Sequence, residues 1–167
     1  GLLLMNIVSC TLFAAVSGSS AATTATVGRI TLPEFEKLGY NAKISMGSLA
    51  GAGTLGFLIP PSLIMIVYAI QAEVSVGKMF MAGLLPGLLL ASVYGIYIII
   101  QGIINPSIAP PMGKSYTWKE RFVALKDIAP VFILISMVLG SIYAGIATPT
   151  EAAALGVLGA VIFADVN

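Results

Sequence analysis

Long stretches without a charged residue constrain this chain more than any other feature. Eight Lys and Arg and seven Asp and Glu residues leave uncharged windows at 1–28, 44–72, 79–113, 128–150 and 152–164. About 20 apolar helical residues cover roughly 30 Å of hydrocarbon, so the first four windows are long enough to span or enter a bilayer. With 58% hydrophobic residues, the chain is predicted to be an all-α integral membrane protein, a multi-span helical bundle.

The composition also excludes several classes of function. The net charge of +1 is too small for a nucleic-acid interface, so lipids, small solutes and other membrane subunits are the expected partners. No His is present, and the single Cys10 allows neither an internal disulfide nor a Cys-based zinc site. Because the windows contain no acid or base side chain, we do not expect an enzyme.

The distribution of Lys and Arg predicts the topology. Connections rich in these residues lie in the cytoplasm. The 29–43 segment has three and the 106–127 segment four, whereas the 73–78 turn has only Lys78. The first two segments are therefore predicted to be cytoplasmic and the turn to lie on the opposite side.

Three Thr-x-x-Glu sequences fit the capping box, which marks the start of a helix. They are Thr31-x-x-Glu34, Thr117-x-x-Glu120 and Thr148-x-x-Glu151. The second is predicted to open a short interfacial helix, with Trp118, Phe122 and Leu125 on one face, before the chain turns inward near Pro130. Small residues at every fourth position, Gly83 and Gly87 among them, predict close helix packing.

A polar stretch interrupts the first window. Residues 17–26 contain six Ser and Thr hydroxyls and a glycine, which a lipid-facing span would not carry. One interpretation is a re-entrant hairpin that turns at 17–20 and returns to the cytoplasm at Arg29. The other is a single span whose hydroxyls bond to carbonyls four residues earlier.

The second window is predicted to hold a broken helix. Its 29 residues, 44–72, would form a helix about 43 Å long, more than a bilayer needs. Between 51 and 62 the sequence has three glycines and the Pro60–Pro61 pair, which interrupt helical hydrogen bonding. Two half-helices around unwound backbone would indicate a transport site, whereas a merely kinked span is the alternative.

These two interruptions suit a particular cargo. A desolvated sodium ion needs oxygen ligands, which hydroxyls near 17–20 and unwound carbonyls near Gly53 can supply. The positive ends of the half-helices that follow would favour an anionic group. The spans have no carboxylate for a proton relay, so sodium with a carboxylate is the preferred combination.

Three motifs resemble those of a known family, the DctM-like large membrane subunits of tripartite ATP-independent periplasmic (TRAP) transporters. They are Ser-Gly-Ser-Ser-Ala-Ala-Thr at 17–23, Gly-Thr-Leu-Gly-Phe-Leu-Ile-Pro-Pro-Ser at 53–62 and Gly-x-x-Thr-Pro-Thr-Glu-Ala-Ala-Ala at 145–154. The resemblance implies half of an inverted-repeat elevator transporter in the bacterial inner membrane, and we expect the chain to be a piece of a longer protein.

The resemblance also implies site residues. The sodium ligands are expected at Ser17, Ser19, Ser20, Gly53, Thr54 and Gly56. The substrate contacts are expected at Ser20, Ala21, Thr23, Pro60, Pro61 and Ser62. No cofactor is implied beyond sodium as the coupling ion.

The segments follow from these arguments. They are a re-entrant hairpin at 1–28, a cytoplasmic connection at 29–43, a broken transmembrane helix at 44–72, a transmembrane helix at 79–105, a cytoplasmic loop with an interfacial helix at 106–127, a transmembrane helix at 128–147 and the start of the next at 148–167.

The function that the resemblance implies is sodium-coupled import of organic acids of the C4-dicarboxylate or sialic-acid type. A periplasmic binding protein would deliver the substrate, and a small membrane subunit would accompany the permease. Two alternatives stay open: a sodium/dicarboxylate symporter that needs no binding protein, and a membrane anchor or assembly subunit that transports nothing.

Overall fold

The computed structural model describes the backbone of residues 1–108, 110 and 118–166. Within them the structure is helical and contains no strand. The helices are α1 (Leu2–Ser17), α2 (Ser20–Lys37), α3 (Ala42–Gly53), α4 (Leu63–Gln71), α5 (Val76–Ile104), α6 (Trp118–Tyr143) and α7 (Pro149–Val166). They divide into two compact units, 1–113 and 114–167. An all-α chain was predicted, and the described residues agree.

A tight turn joins α1 and α2 into a helical hairpin. Gly18 ends α1 in the left-handed conformation, with φ of 60°, and its amide donates to the carbonyl of Ala14 over 2.9 Å. The Ser19 hydroxyl then caps α2 by accepting from the amide of Ala22. Glycine favours the left-handed conformation and serine favours the N-cap, so this short sequence ends one helix and starts another.

The second arm of the hairpin is longer than the sequence predicted. Helix α2 continues past Arg29 to Lys37, with Pro33 inside it, so much of the 29–43 connection is helical. Thr31 does not begin a helix; its hydroxyl donates to the carbonyl of Val27 within α2. The capping-box prediction at Thr31 was therefore wrong. Burial of Phe35 in the core favours continuing the helix over the one hydrogen bond lost at Pro33.

The predicted interruption between 51 and 62 is present. Helix α3 begins after Asn41, whose side chain accepts from two backbone amides, and it ends at Gly53. One 3-10 turn, Thr54–Phe57, follows, and α4 begins only at Leu63. The Pro60–Pro61 peptide bond is cis. The unwound segment of five residues, 58–62, separates the two helices.

Helix α5 is the one helix among the described residues that is long and apolar enough by itself to cross a membrane. It spans 29 residues and includes the predicted span at 79–105 almost entirely. Shorter apolar helical stretches occur at Leu2–Ser17, Ile128–Tyr143 and Pro149–Ile162.

The core of the first unit forms around one face of α1. The buried apolar residues there are Leu3, Ile7, Cys10 and Ala14, which recur at helical spacing. They pack with buried side chains of α2, α3 and α5, including Phe35, Leu49 and Ile98. The hairpin and the broken helix are therefore parts of one packed body.

In the second unit, the capping box at the start of α7 is confirmed. The amide and the hydroxyl of Thr148 both donate to the Glu151 carboxylate over 2.8 Å, and the Glu151 amide donates to the Thr148 hydroxyl over 3.4 Å. Pro149 is the first helical residue, where its missing amide hydrogen costs nothing.

Helix α6 corrects the predicted elbow near Pro130. It runs from Trp118 to Tyr143 with Pro130 inside it, so no separate short helix precedes the apolar stretch. A proline removes one backbone hydrogen bond, and the remaining turns of this 26-residue helix keep theirs. The predicted cap at Thr117 lies outside the described residues, as do the side chains of Trp118, Phe122 and Leu125.

Candidate ion and substrate site

The hairpin turn and the helix break lie directly against each other. A Cβ placed on Gly56 would be 2.7 Å from the amide nitrogen of Ser20 and 3.0 Å from the carbonyl oxygen of Ser19. Side-chain carbons do not approach backbone atoms so closely, so only glycine fits at 56. The motif at 17–23 and the motif at 53–62 therefore meet through backbone atoms.

The turn also contacts the far side of the break. The amide of Leu63, the first residue of α4, donates to the carbonyl of Gly18 over 3.1 Å. A Cβ on Gly18 would be 2.6 Å from the carbonyl oxygen of Pro61. Glycine at 18 is thus required twice, by its left-handed backbone and by the nearness of Pro61.

A third contact joins the second arm of the hairpin to the end of α3. A Cβ on Gly53 would overlap the Thr24 hydroxyl, which donates to the Ser20 carbonyl over 2.9 Å. Gly53 therefore packs against Thr24 of α2.

Helix α5 packs against the unwound segment at 58–62. A Cβ on Gly83 would be 2.8 Å from the carbonyl oxygen of Leu58, and one on Gly87 would be 3.0 Å from the Ile59 side chain. The sequence predicted a packing face at these glycines but not its partner, because the pattern on one helix does not identify what packs there. The unwound segment is therefore enclosed between the hairpin turn and α5.

The hydroxyls at the turn are arranged mainly as acceptors. Thr23 is fully buried, and its hydroxyl donates to the Ser19 carbonyl over 2.8 Å. Its oxygen lies 2.9 Å from the Ser17 hydroxyl, which also donates to the Ser19 carbonyl over 3.3 Å, so either hydroxyl can be the donor of that pair. Because these hydrogens are used inside the protein, the remaining lone pairs are what the hydroxyls can offer to a ligand.

The hydroxyls of the break follow the same pattern. Thr54 donates to the Gly51 carbonyl over 2.7 Å, and the buried Ser62 donates to the Phe57 carbonyl over 3.0 Å. Each hydroxyl thus donates its hydrogen to a backbone carbonyl within residues 51–62. Oxygen lone pairs of this kind coordinate cations.

Four helix ends converge at this junction. Helices α1 and α3 end at it, at Ser17 and Gly53, and α2 and α4 begin at it, at Ser20 and Leu63. Carbonyl groups at a helix C-terminus attract cations, and amide groups at an N-terminus attract anions. The junction therefore combines a cation-attracting and an anion-attracting element.

The predicted site residues are not equivalent in the structure. Those at the turn and Gly56 are brought together, whereas the nearest neighbour of Gly53 is Thr24 of α2. Ala21 is exposed, while Pro60 and Ser62 are buried within the chain. Among the described residues, no three His, Cys, Asp or Glu side chains cluster. The oxygen atoms that these residues contribute to the junction are neutral.

Comparison with known proteins gives a consistent result. Residues 1–167 match the family described as "Tripartite ATP-independent periplasmic transporter, DctM component". The C4-dicarboxylate TRAP transporter large permease protein DctM of Vibrio cholerae is 45% identical over 93% of this chain and 34% of its own length.

Two further relatives have other names. The ectoine TRAP transporter large permease protein TeaC of Halomonas elongata is 40% identical over 97% of this chain and 37% of its own length. The isethionate TRAP transporter permease protein DctMQ of Oleidesulfovibrio alaskensis is 37% identical over 93% of this chain and 24% of its own length. The chain thus spans between 24% and 37% of the length of these three relatives.

Proposed function

The chain belongs to the DctM component family of TRAP transporters, membrane permeases and not enzymes, and from this membership we propose that it forms one half of a sodium-coupled transport site. The observation that carries the proposal is the junction of four helix ends at the hairpin turn and the break. Ser17, Ser19, Ser20, Thr54 and the carbonyls near Gly53 and Gly56 are the sodium ligands.

The anion-attracting element suits an organic acid as the substrate. The starts of α2 and α4 are adjacent, since the Leu63 amide bonds to the Gly18 carbonyl. Substrate contacts are Ser20, Ala21 and Thr23, with the backbone of the Pro60–Ser62 segment. The compounds in the relatives' names, C4-dicarboxylates, ectoine and isethionate, differ in size but each has an acidic group. A carboxylate of the C4-dicarboxylate or sialic-acid type is the proposed cargo.

The complete transporter that we propose has several components. The permease lies in the bacterial inner membrane, a periplasmic binding protein delivers the substrate, and a small membrane subunit accompanies it, as a separate chain or fused to it. The hairpin and broken helix pack as one body with a shared core, which suits an elevator movement in which the site moves as a unit.

Uptake into proteoliposomes tests the proposal. The full-length permease, with its small subunit, is reconstituted, and uptake of labelled C4-dicarboxylate is measured with and without an inward sodium gradient and with and without the binding protein. We expect uptake only when both the sodium gradient and the binding protein are present. Uptake that needs sodium alone would identify a symporter without a binding protein. Absence of uptake for carboxylates, ectoine and isethionate alike, from a folded complex, would identify an anchoring subunit instead.

A further inference from the structure

A groove between α3 and α5 lies apart from the junction of helix ends. Residues within 43–51 of α3 and 93–98 of α5 line it, together with Ile7 of α1. Its volume is about 470 Å³, which is within the range of sites for small molecules. Neither the turn at 17–23 nor the break at 53–62 contributes a lining residue, so the proposed sodium site does not account for this groove.

One end of the groove lies at Lys43, where the ends of two helices adjoin. The amide of Asn41, at the start of α3, donates to the carbonyl of Ile108, just after α5, over 3.5 Å. This end therefore lies on the side where the 29–43 and 106–127 segments are predicted to face the cytoplasm. Lipid headgroups lie at the same level as such connections.

The groove is open in its middle and closes at its far end. Beyond its own helix turn, a Cβ added at Gly47 would meet nothing within 4 Å, whereas one added at Gly51 would be 3.5 Å from the Tyr94 ring. The distance along α3 from Lys43 to Gly51 is about 12 Å, which is less than one leaflet of a hydrocarbon core roughly 30 Å thick. Space for an elongated group therefore extends from the membrane edge inward.

The wall of the groove is mainly apolar and aromatic. Ile7 and Ile98 are buried, whereas Val93 and Tyr97 are half exposed on the helix that is long enough to cross a membrane. The Ser48 hydroxyl also lines the groove, but it already donates one hydrogen bond and accepts another within the protein. Such a wall suits a hydrocarbon chain and offers a polar solute few partners.

The open end of the groove carries a positive charge. Lys43 is the one charged residue among the described lining residues. It is exposed and forms no ion pair with any residue whose side chain the structure describes. It lies in the first turn of α3, which contains no acidic residue and whose amide groups also favour an anion. The groove thus combines an anion-attracting end with an apolar interior.

We propose that this groove binds an anionic phospholipid, with its phosphate at Lys43 and one acyl chain along residues 44–51 of α3. Basic pockets between membrane helices on the cytoplasmic side bind lipid headgroups. A free phosphate would contact Lys43 and leave the apolar wall uncovered. A phospholipid accounts for both the charge at the end and the hydrocarbon-lined interior.

Photocrosslinking tests the site directly. The full-length permease is reconstituted in phosphatidylcholine vesicles that contain phosphatidylglycerol with a photoreactive group in one acyl chain. We expect crosslinked peptides from residues 44–51 and 93–98. Crosslinks elsewhere on the permease but none in these two segments would overturn the proposal and would mean that another segment of the full-length chain fills the groove.

Two glycine variants test whether an acyl chain occupies the groove. Gly47→Leu places a side chain in the open middle, so the crosslinks to 93–98 should be lost. Gly102→Leu on α5 is the matched control, because a Cβ there also meets nothing within 4 Å and Gly102 does not line the groove. The control should crosslink like the parent. Crosslinks retained in a folded Gly47→Leu variant would contradict the proposal.

Two lysine variants test the headgroup contact. Lys43→Gln should lower crosslinking of the phosphatidylglycerol to the groove about fivefold. Lys78→Gln, at an exposed lysine of the 73–78 turn, should leave it unchanged. Equal crosslinking in Lys43→Gln and the parent would overturn the phosphate contact. Crosslinking does not require transport, so this proposal fails or holds separately from the proposed function.

Discussion

The amide of Leu63 donates a hydrogen bond to the carbonyl of Gly18 over 3.1 Å, across 45 residues of sequence. This bond connects the turn that ends α1 to the first residue of α4. Two chain segments that would each be unsuitable for a lipid-facing helix thus satisfy part of each other's backbone. This bond satisfies one backbone amide and one carbonyl that would otherwise need a partner inside a membrane.

Gly18→Ala should damage this contact more than its backbone angle alone predicts. The left-handed conformation costs alanine about 1–2 kcal/mol. The alanine Cβ would also lie 2.6 Å from the Pro61 carbonyl oxygen. Gly39→Ala is the matched control, because Gly39 has φ of 71° and a Cβ added there would meet nothing within 4 Å beyond its chain neighbours. Thermal unfolding of the full-length permease in detergent should show the larger loss for Gly18→Ala. Equal losses of thermal stability would mean that the contact with Pro61 does not contribute to stability.

Gly56→Ala and Gly47→Ala should have opposite effects on stability. The Cβ at 56 meets the backbone of Ser19 and Ser20, whereas nothing lies within 4 Å of a Cβ at 47. Within α3, Gly47→Ala gains helix propensity of up to about 1 kcal/mol. We expect Gly47→Ala to unfold at a higher temperature and transport normally, and Gly56→Ala to unfold earlier and lose uptake. Normal uptake by Gly56→Ala would show that the turn and the break need not touch.

Ser20→Ala should weaken the response to sodium without affecting insertion. If its hydroxyl is an ion ligand, its loss costs about 1 kcal/mol, which corresponds to about a fivefold higher sodium concentration for half-maximal uptake. Initial uptake rates at graded external sodium measure the shift. Ser92→Ala, on the exposed face of α5, supplies the same substitution away from the junction. A sodium dependence equal to that of the parent would remove Ser20 from the ligand set.

Thr148→Val should destabilise the start of α7. It removes the hydroxyl that donates to Glu151 and accepts from the Glu151 amide, and loss of such a cap costs about 0.5–2 kcal/mol. Thr150→Val, two residues further along α7 at an exposed position, is the control. Hydrogen exchange of the first turn of α7 should accelerate in Thr148→Val only. Similar exchange in both variants would indicate that the cap contributes little.

The predicted topology can be checked with two cysteines in the first unit. Glu36 and Ala72 are both exposed; Glu36 lies within the 29–43 connection, and Ala72 directly precedes the 73–78 turn. In intact cells, an impermeant thiol reagent should label Ala72→Cys directly and Glu36→Cys only after permeabilisation. The buried Cys10 provides an unreactive background. Labelling of both positions from outside would reverse the assignment based on Lys and Arg.

The positions where helices stop were largely predictable from the sequence. Glycine and serine at 18 and 19, and the glycines with the Pro60–Pro61 pair, act on the backbone within a few residues. Their effect is local, so it can be deduced without knowing what packs nearby. The Thr148–Glu151 box was predictable for the same reason.

The positions where helices continue were not predictable in the same way. Helix α2 passes Pro33 and α6 passes Pro130, although each proline removes a backbone hydrogen bond. Whether a helix survives such a loss depends on side chains it buries against distant segments, as Phe35 does. The partner of Gly83 and Gly87 was hidden for the same reason, since a contact between α5 and the break is a property of the folded chain.

The meeting of turn and break at Gly18 and Gly56 has an evolutionary consequence. The joint consists of main-chain atoms, so it specifies no side chain except by excluding one. The exposed alanines nearby, such as Ala21 and Ala25, do not take part in it. Natural selection can therefore exchange them to suit a different cargo while the joint itself is inherited unchanged.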